Sequence, residues 1–244
     1  TWIGPAKVAS VQGYLIAIGG VGSASATLPV NVALEHTDWR GLFVGLAVLT
    51  VLAGILIWMV SPRQQPQPGA AKSSLKSLAE VYRHPEFRKT VSLLLIPHTV
   101  FFGIQGLWIG RWLSDVALFS PDAVAYLLYL SMAAVIFGAI AVGSGTERAA
   151  RYGIRPHDVA AVGVAVFLLV QLGFVFNHAP SFQLLSVLFT LVGTITGIEY
   201  AIVAKSLPRE LTGRASTCLN LLIFIGAFVV QAGFGMVVGL WDAG

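Results

Sequence analysis

Seven runs of apolar residues, each long enough to cross a bilayer as a helix, leave this chain very few ways to fold. They lie at approximately 11–34, 42–60, 91–113, 123–144, 158–177, 182–204 and 216–241. A hydrocarbon core about 30 Å thick needs about 20 helical residues to span it. Between the runs the chain offers only short polar breaks, and charged residues make up 11% of the whole. The mean hydropathy of +0.81 belongs with that pattern. The fold class is therefore all-α, a polytopic transmembrane bundle with seven membrane spans.

The cations orient it. With the N-terminal end placed in the cytoplasm, Lys7, Arg63, Lys72, Lys76, Arg83, Arg88, Lys89, Arg148, Arg151, Arg155, Lys205, Arg209 and Arg214 all fall inside, and Arg40 and Arg111 outside. Without the long break at 61–90, seven cations still face two. Acidic residues divide evenly, as expected when orientation follows Lys and Arg and not net charge. The sequence pI of 9.4 is thus a topology signal. A nucleic-acid partner is not expected, because its cations would cluster on one soluble face among aromatics. The expected location is the cytoplasmic (inner or plasma) membrane, multi-pass, with the N-terminal end inside.

Most breaks are short, as between neighbouring antiparallel helices. The exception opens with Ser61-Pro62-Arg63-Gln64-Gln65-Pro66-Gln67-Pro68-Gly69, whose prolines forbid a continuous helix. Leu75, Leu78 and Tyr82 then recur at helical spacing among Lys76, Glu80 and Arg83, which predicts a short amphipathic helix on the inner surface. The division that follows is 1–61 as the end of one bundle, 62–90 as a cytoplasmic linker, and 91–244 as most of a second bundle. A Thr at position 1 and an odd number of spans read as a fragment.

Polar groups inside the spans are few, and such groups are costly enough to mark function or packing. Span 3 carries His98, Gln105, Trp108 and Trp112, which an unbroken helix would place within about a quarter-turn on one face. Pro97, Gly103, Gly106 and Gly110 predict a bend there. Span 6 carries Thr190 and Thr194 on one face with Gly193 and Gly197, a spacing that permits close helix approach. Glu199 points the other way, towards an ion pair with Lys205, Arg209 or Arg214, or towards the role of a protonatable gate. Span 7 superposes Asn220 and Gln231 on one face. In span 1, Gly19 to Thr27 predicts tight packing, and Pro29 a kink.

Other chemistry is missing. Cys218 is the single cysteine, which leaves neither an internal disulfide nor a Cys-rich metal site, and it reads as a small packed residue. The sequence has no zinc-protease His-Glu pair, nucleophile elbow or phosphate loop. An enzyme is not expected, nor a cofactor or metal.

Several segments together resemble the major facilitator superfamily. Asp38-Trp39-Arg40-Gly41-Leu42-Phe43 is similar to the turn joining its fifth and sixth helices, with Asp in place of the usual Gly. The long basic break resembles the linker between its two six-helix halves. Gly143, Glu147, Arg148, Arg151, Gly153 and Arg155 resemble the degenerate basic signature between helices eight and nine. Pro208 to Ala215, continuing to Asn220, Gly226 and Gln231, is similar to the eleventh. The resemblance implies an incomplete fold of helices five to eleven of twelve, lacking four at the start and one at the end.

It also implies secondary active transport of a small solute by alternating access, around a site near the midplane. On that register Gln105, Trp108, Thr194 and Asn220 lie along the substrate path, with Glu199 and His98 as proton or gate residues. Glu147, Arg148, Arg151 and Arg155 form the cytoplasmic loop signature. The implied partners are a small solute, a coupling proton and the lipid bilayer, and the protein is expected to be monomeric. Two other readings stand beside this one: a non-transporting sensor or assembly protein with the same fold, and a membrane enzyme whose site lies elsewhere. Arg111 is expected near the outer surface with Asp115 one turn away.

Overall fold

In the computed structural model, residues 7–25, 28–60, 75–176 and 181–241 are described. They form helices α1 (Val8–Ser25), α2 (Leu28–His36), α3 (Trp39–Val60), α4 (Leu75–Arg83), α5 (Pro85–Gly103), α6 (Ile109–Asp115), α7 (Pro121–Arg151), α8 (Pro156–Val175), α9 (Phe182–Gly193), α10 (Ile198–Ser206) and α11 (Arg209–Trp241). A π-helical turn, Ile104–Trp108, joins α5 to α6, and a 3-10 turn, Thr194–Gly197, joins α9 to α10. There is no strand among the described residues. Seven helical segments are long and apolar enough to cross a membrane, as the hydropathy pattern requires. The first ends at Ser25 and α2 starts at Leu28; residues 26–27 of the expected run to 34 lie outside the described residues. The Pro-rich half of the linker, 61–74, also lies outside them.

Helix starts follow local chemistry. Pro85, Pro121 and Pro156 each open a helix after a residue in extended conformation, where the missing N–H costs nothing. Ser120 accepts from the Ala123 amide at 3.3 Å, and Asp38 caps α3 through the Gly41 amide at 2.8 Å, in keeping with N-cap preferences. The turn after α7 depends on Gly153, whose φ of 78° is a left-handed conformation that glycine adopts without strain.

The described residues divide into two compact units. Within Gly22–Lys72, α2 and α3 pack on each other, and no residue of α3 is buried. Within Thr1–Val21 and Ser73–Gly244, α9 and α10 are central. Their span is the most enclosed of the seven, and α5, α7, α8 and α11 surround it. Phe101, Phe167 and Phe189 fill the middle. Helix α4 lays Val81 and Leu78 against Val203, Leu207, Leu211, Ala215, Cys218 and Leu219. The amphipathic helix is thus seated on the ends of α10 and α11, and Cys218 is buried as expected for a packed residue.

Helix α1 bears out the expected tight packing in part: within the small-residue run, Gly20 is buried and a Cβ there would meet Ile136 Cγ1 at 2.9 Å. Its buried stripe is Ala9, Gly13, Ala17 and Gly20, so the contact face begins before the small-residue run. A Cβ at Gly13 would meet the Ala139 carbonyl oxygen at 2.5 Å, and one at Gly143 on α7 would meet the Ala9 oxygen at 2.8 Å. Gly19 and Gly22 have nothing within 4 Å. At 3.6 residues per turn only every third or fourth residue can face a neighbour, so consecutive small residues cannot all serve one interface.

Candidate functional site

The site begins where two spans stop being regular α-helix. In the first, the Ile109 amide bonds to the Ile104 carbonyl, the five-residue reach of a π turn. In the second, Thr194 Oγ1 donates to Leu191 O at 2.6 Å and Thr196 Oγ1 to Gly193 O at 2.8 Å. Such hydroxyls occupy carbonyls that a tightened turn leaves without their regular partners. Gly193 and Gly197 allow the approach expected of them. A Cβ at Gly193 would collide with the Phe101 ring, and one at Gly197 would meet Ile16 Cδ1 at 2.8 Å.

Beside these interruptions lies a buried polar contact between α5 and α10. His98 Nδ1 on α5 and Glu199 Oε1 on α10 are 2.6 Å apart. Glu199 is 0% exposed and His98 4%. This corrects the expected pairing of Glu199 with Lys205, Arg209 or Arg214. Six residues along a helix carry Lys205 about 240° round from Glu199, whereas α5 packs directly against α10. Next to the pair, the Tyr200 hydroxyl donates to Asn220 Oδ1 on α11. The His98 ring sits 5.0 Å from Phe102 and 6.4 Å from Tyr200, and Phe102 stands edge-on to Phe224 at 6.1 Å. Asn220, Phe102 and Phe224 are exposed, so the buried pair lies behind an aromatic and amide face.

Gln105 is placed one helix further round. Thr190 Oγ1 donates to Gln105 Oε1 at 2.7 Å, and Gln105 Nε2 is buried with no partner. The Trp108 indole N–H reaches Gln231 O at 3.2 Å on α11, while Trp112 stands edge-on to Phe174 and Phe182. The expected stripe of His98, Gln105, Trp108 and Trp112 is therefore distributed over α10, α9, α11 and the α8–α9 pair. The wider π turn between Ile104 and Trp108 rotates everything that follows it. Trp108 and Trp112 instead line a cavity of about 280 Å³ with Ile104, Gln171, Phe174 and Phe189. Thr194 packs against Gly138 of α7 and lines a narrow gap against α1.

The loop signature divides too. Glu147 Oε1 accepts from the Ser10 amide at 3.0 Å, placing a carboxylate in the first turn of α1, where a helix favours negative charge. Arg155 donates twice to the Asp158 carboxylate, both at 2.9 Å, and the hydrogen bond raises the guanidinium pKa above its ordinary value. Arg111 and Asp115 pair at 3.1 Å on an exposed surface, as one-turn spacing predicts.

Sequence reasoning named His98 and Glu199 separately and missed their union. It also missed Tyr200 as the link to Asn220, and Phe102 and Phe224 as the face in front. The available signal was the rarity of ionisable groups in the spans: a buried acid and a buried imidazole on different helices are each other's cheapest partner.

A family model described as Major Facilitator Superfamily matches residues 1–231. No curated protein and no solved structure matches the chain. With that match over most of its length and seven membrane-length apolar helices, the chain belongs to the major facilitator superfamily of multi-pass membrane transporters.

Proposed function

We propose that the protein is a secondary active transporter that moves a small polar or amphipathic solute by alternating access. The observation that carries this reading is the convergence of two interrupted spans on one set of polar side chains. The π turn follows α5, the 3-10 turn divides α9 from α10, and His98, Gln105, Thr190, Thr196 and Glu199 lie within or beside them. Broken helices around buried polar groups are a recurrent construction of solute sites in transporters. Gln105, Trp108, Thr194 and Asn220 are proposed for the solute path. Residues 62–90 are proposed as the linker between a bundle ending near 61 and one formed by 91–244. The basic end of the helices is assigned to the cytoplasm, in the inner or plasma membrane, and the working unit is a monomer.

The α1–α7 contact supports the same reading. Glycine-backed backbone contact and the Glu147 cap make a close but largely apolar seam, which can part without stranding many buried charges. Proteoliposomes of the full-length protein, exposed to a mixed solute extract, should accumulate one class of compound over protein-free liposomes. Labelled compound should then show saturable counterflow. Saturable binding with no counterflow would overturn transport and favour a sensor with this fold.

A further inference from the structure

We propose that the cavity between the π turn, α6, α8, α9 and α11 binds a neutral, flat fused-ring compound, held between aromatic faces and donating one hydrogen bond to Gln171. As cargo, such a compound rests on the transport reading; as a ligand, it follows from the cavity alone.

Trp108, Trp112, Phe174, Phe189 and Phe234 supply most of the lining, and they come from the π turn, α6, α8, α9 and α11 in turn. The rings are held from behind. The Trp108 indole N–H is engaged by Gln231 O at 3.2 Å, and a Cβ at Gly235 would meet Trp108 Cζ2 at 3.1 Å, so this ring lies close against the α11 backbone. Trp112 stands edge-on to Phe174 at 4.8 Å and to Phe182 at 4.7 Å. Phe189 packs on Phe167 at 5.0 Å and edge-on to Phe174 at 6.1 Å. Walls fixed before a ligand arrives lose little freedom on binding, and such faces and edges favour another ring, stacked or edge-on.

Size narrows the class. An apolar cavity of about 150 Å³ holds benzene, and drug-sized sites begin at about 300 Å³. The volume here, about 280 Å³, suits fused rings with a small substituent.

Charge is excluded by the lining. No Lys, Arg, Asp, Glu or His is among the described residues that form it, and Arg111 and Asp115 on α6 pair with each other at 3.1 Å on an exposed surface. An ion seated in the cavity would lose water and gain no counter-charge. The polar side chain in the lining is Gln171. Its Nε2 donates back to Phe167 O on its own helix at 3.3 Å, which leaves Oε1 to accept from a ligand N–H or O–H. A lipid acyl chain would fill the same volume but give that carbonyl no donor, and it would gain nothing from rings over aliphatic walls.

Indole tests the site, because it is flat, neutral and carries one N–H. Binding of tritiated indole to the full-length protein in lipid nanodiscs, read by scintillation proximity with empty nanodiscs subtracted, should saturate. Tryptamine, a cation, and indoleacetate, an anion, should displace it about tenfold less well or worse. N-methylindole should bind about three- to tenfold more weakly than indole, and Gln171→Leu should erase that difference. Val175→Trp, at a lining position that is 73% exposed, should fill the cavity and abolish saturable binding without disturbing the core. Absence of saturable binding in the wild type overturns the proposal, and so does equal displacement by the charged analogues. A preference for indole over N-methylindole that survives Gln171→Leu overturns it as well. Displacement by decanol at the concentration that suffices for unlabelled indole would make this a site for lipid chains, which also overturns it. Saturable indole binding without counterflow of any solute would keep the site and remove transport. Counterflow of another solute by a protein that does not bind indole would remove the site and keep transport.

Discussion

Tyr82 shows how one side chain ties a surface helix to the bundle. Its ring stands edge-on to Phe87 at 5.6 Å, and the Cys218 thiol on α11 is the neighbouring group that acts on its hydroxyl. Burial first, and then the thiol, raises the phenol above its usual value of 10.0. The folded protein thus holds this proton more tightly than the unfolded chain. The contribution is complete below about pH 10 and is lost as pH rises through the higher folded value. Thermal melts at increasing alkaline pH should therefore fall more steeply for the wild type than for Tyr82→Phe. Equal slopes would show that the hydroxyl is not engaged in the fold. The His98–Glu199 contact works at the same scale but in the dry interior, where the missing partner of one oxygen matters more than any surface pair.

At the scale of the element, α1 and α7 are held by what their facing residues lack. Backbone approaches backbone because Gly13 and Gly143 carry no Cβ. Close packing of this kind replaces the hydrophobic driving force that lipid does not supply. Gly13→Leu should force the helices apart and destabilise the detergent-solubilised protein by about 1–3 kcal/mol. Gly19→Leu, at a position with nothing within 4 Å, should stay within about 0.5 kcal/mol. Thermal melting of the two variants side by side checks the assignment of faces, and equal losses would refute it. Helix α4 was legible from Leu75, Leu78 and Tyr82 because amphipathicity is local. Its seat was not, because nothing in its own sequence names Leu211 or Cys218 as neighbours.

At the scale of the whole molecule, the orientation assigned from cations can be tested at two exposed residues on opposite ends of the helices. Tyr152 follows α7 at the basic end, and Leu118 precedes α7 at the other; they are 79% and 81% exposed. In a Cys218→Ser background, a membrane-impermeant thiol reagent applied to intact cells should label Leu118→Cys. Tyr152→Cys should react only after permeabilisation. The reverse pattern would invert the molecule and move the Glu147 cap to the outside. The Glu147 carboxylate also shows the limit of motif reading: the loop signature was visible as a charge pattern, but its contact with Ser10 spans 137 residues.

The sequence by itself determined that this chain carries seven helices long and apolar enough to cross a membrane, and which local pairs form. Each of these depends on transfer free energy per residue or on neighbours within one turn, as with Asp38 and Gly41, or Arg111 and Asp115. Tertiary structure alone decided that His98 and Glu199 meet across 101 residues, that Gly13 and not Gly19 faces α7, and that a π turn divides the polar stripe of α5 and α6. Those outcomes depend on how far each helix is rotated about its axis. The rotation is fixed by packing against neighbours, so no window of sequence contains it.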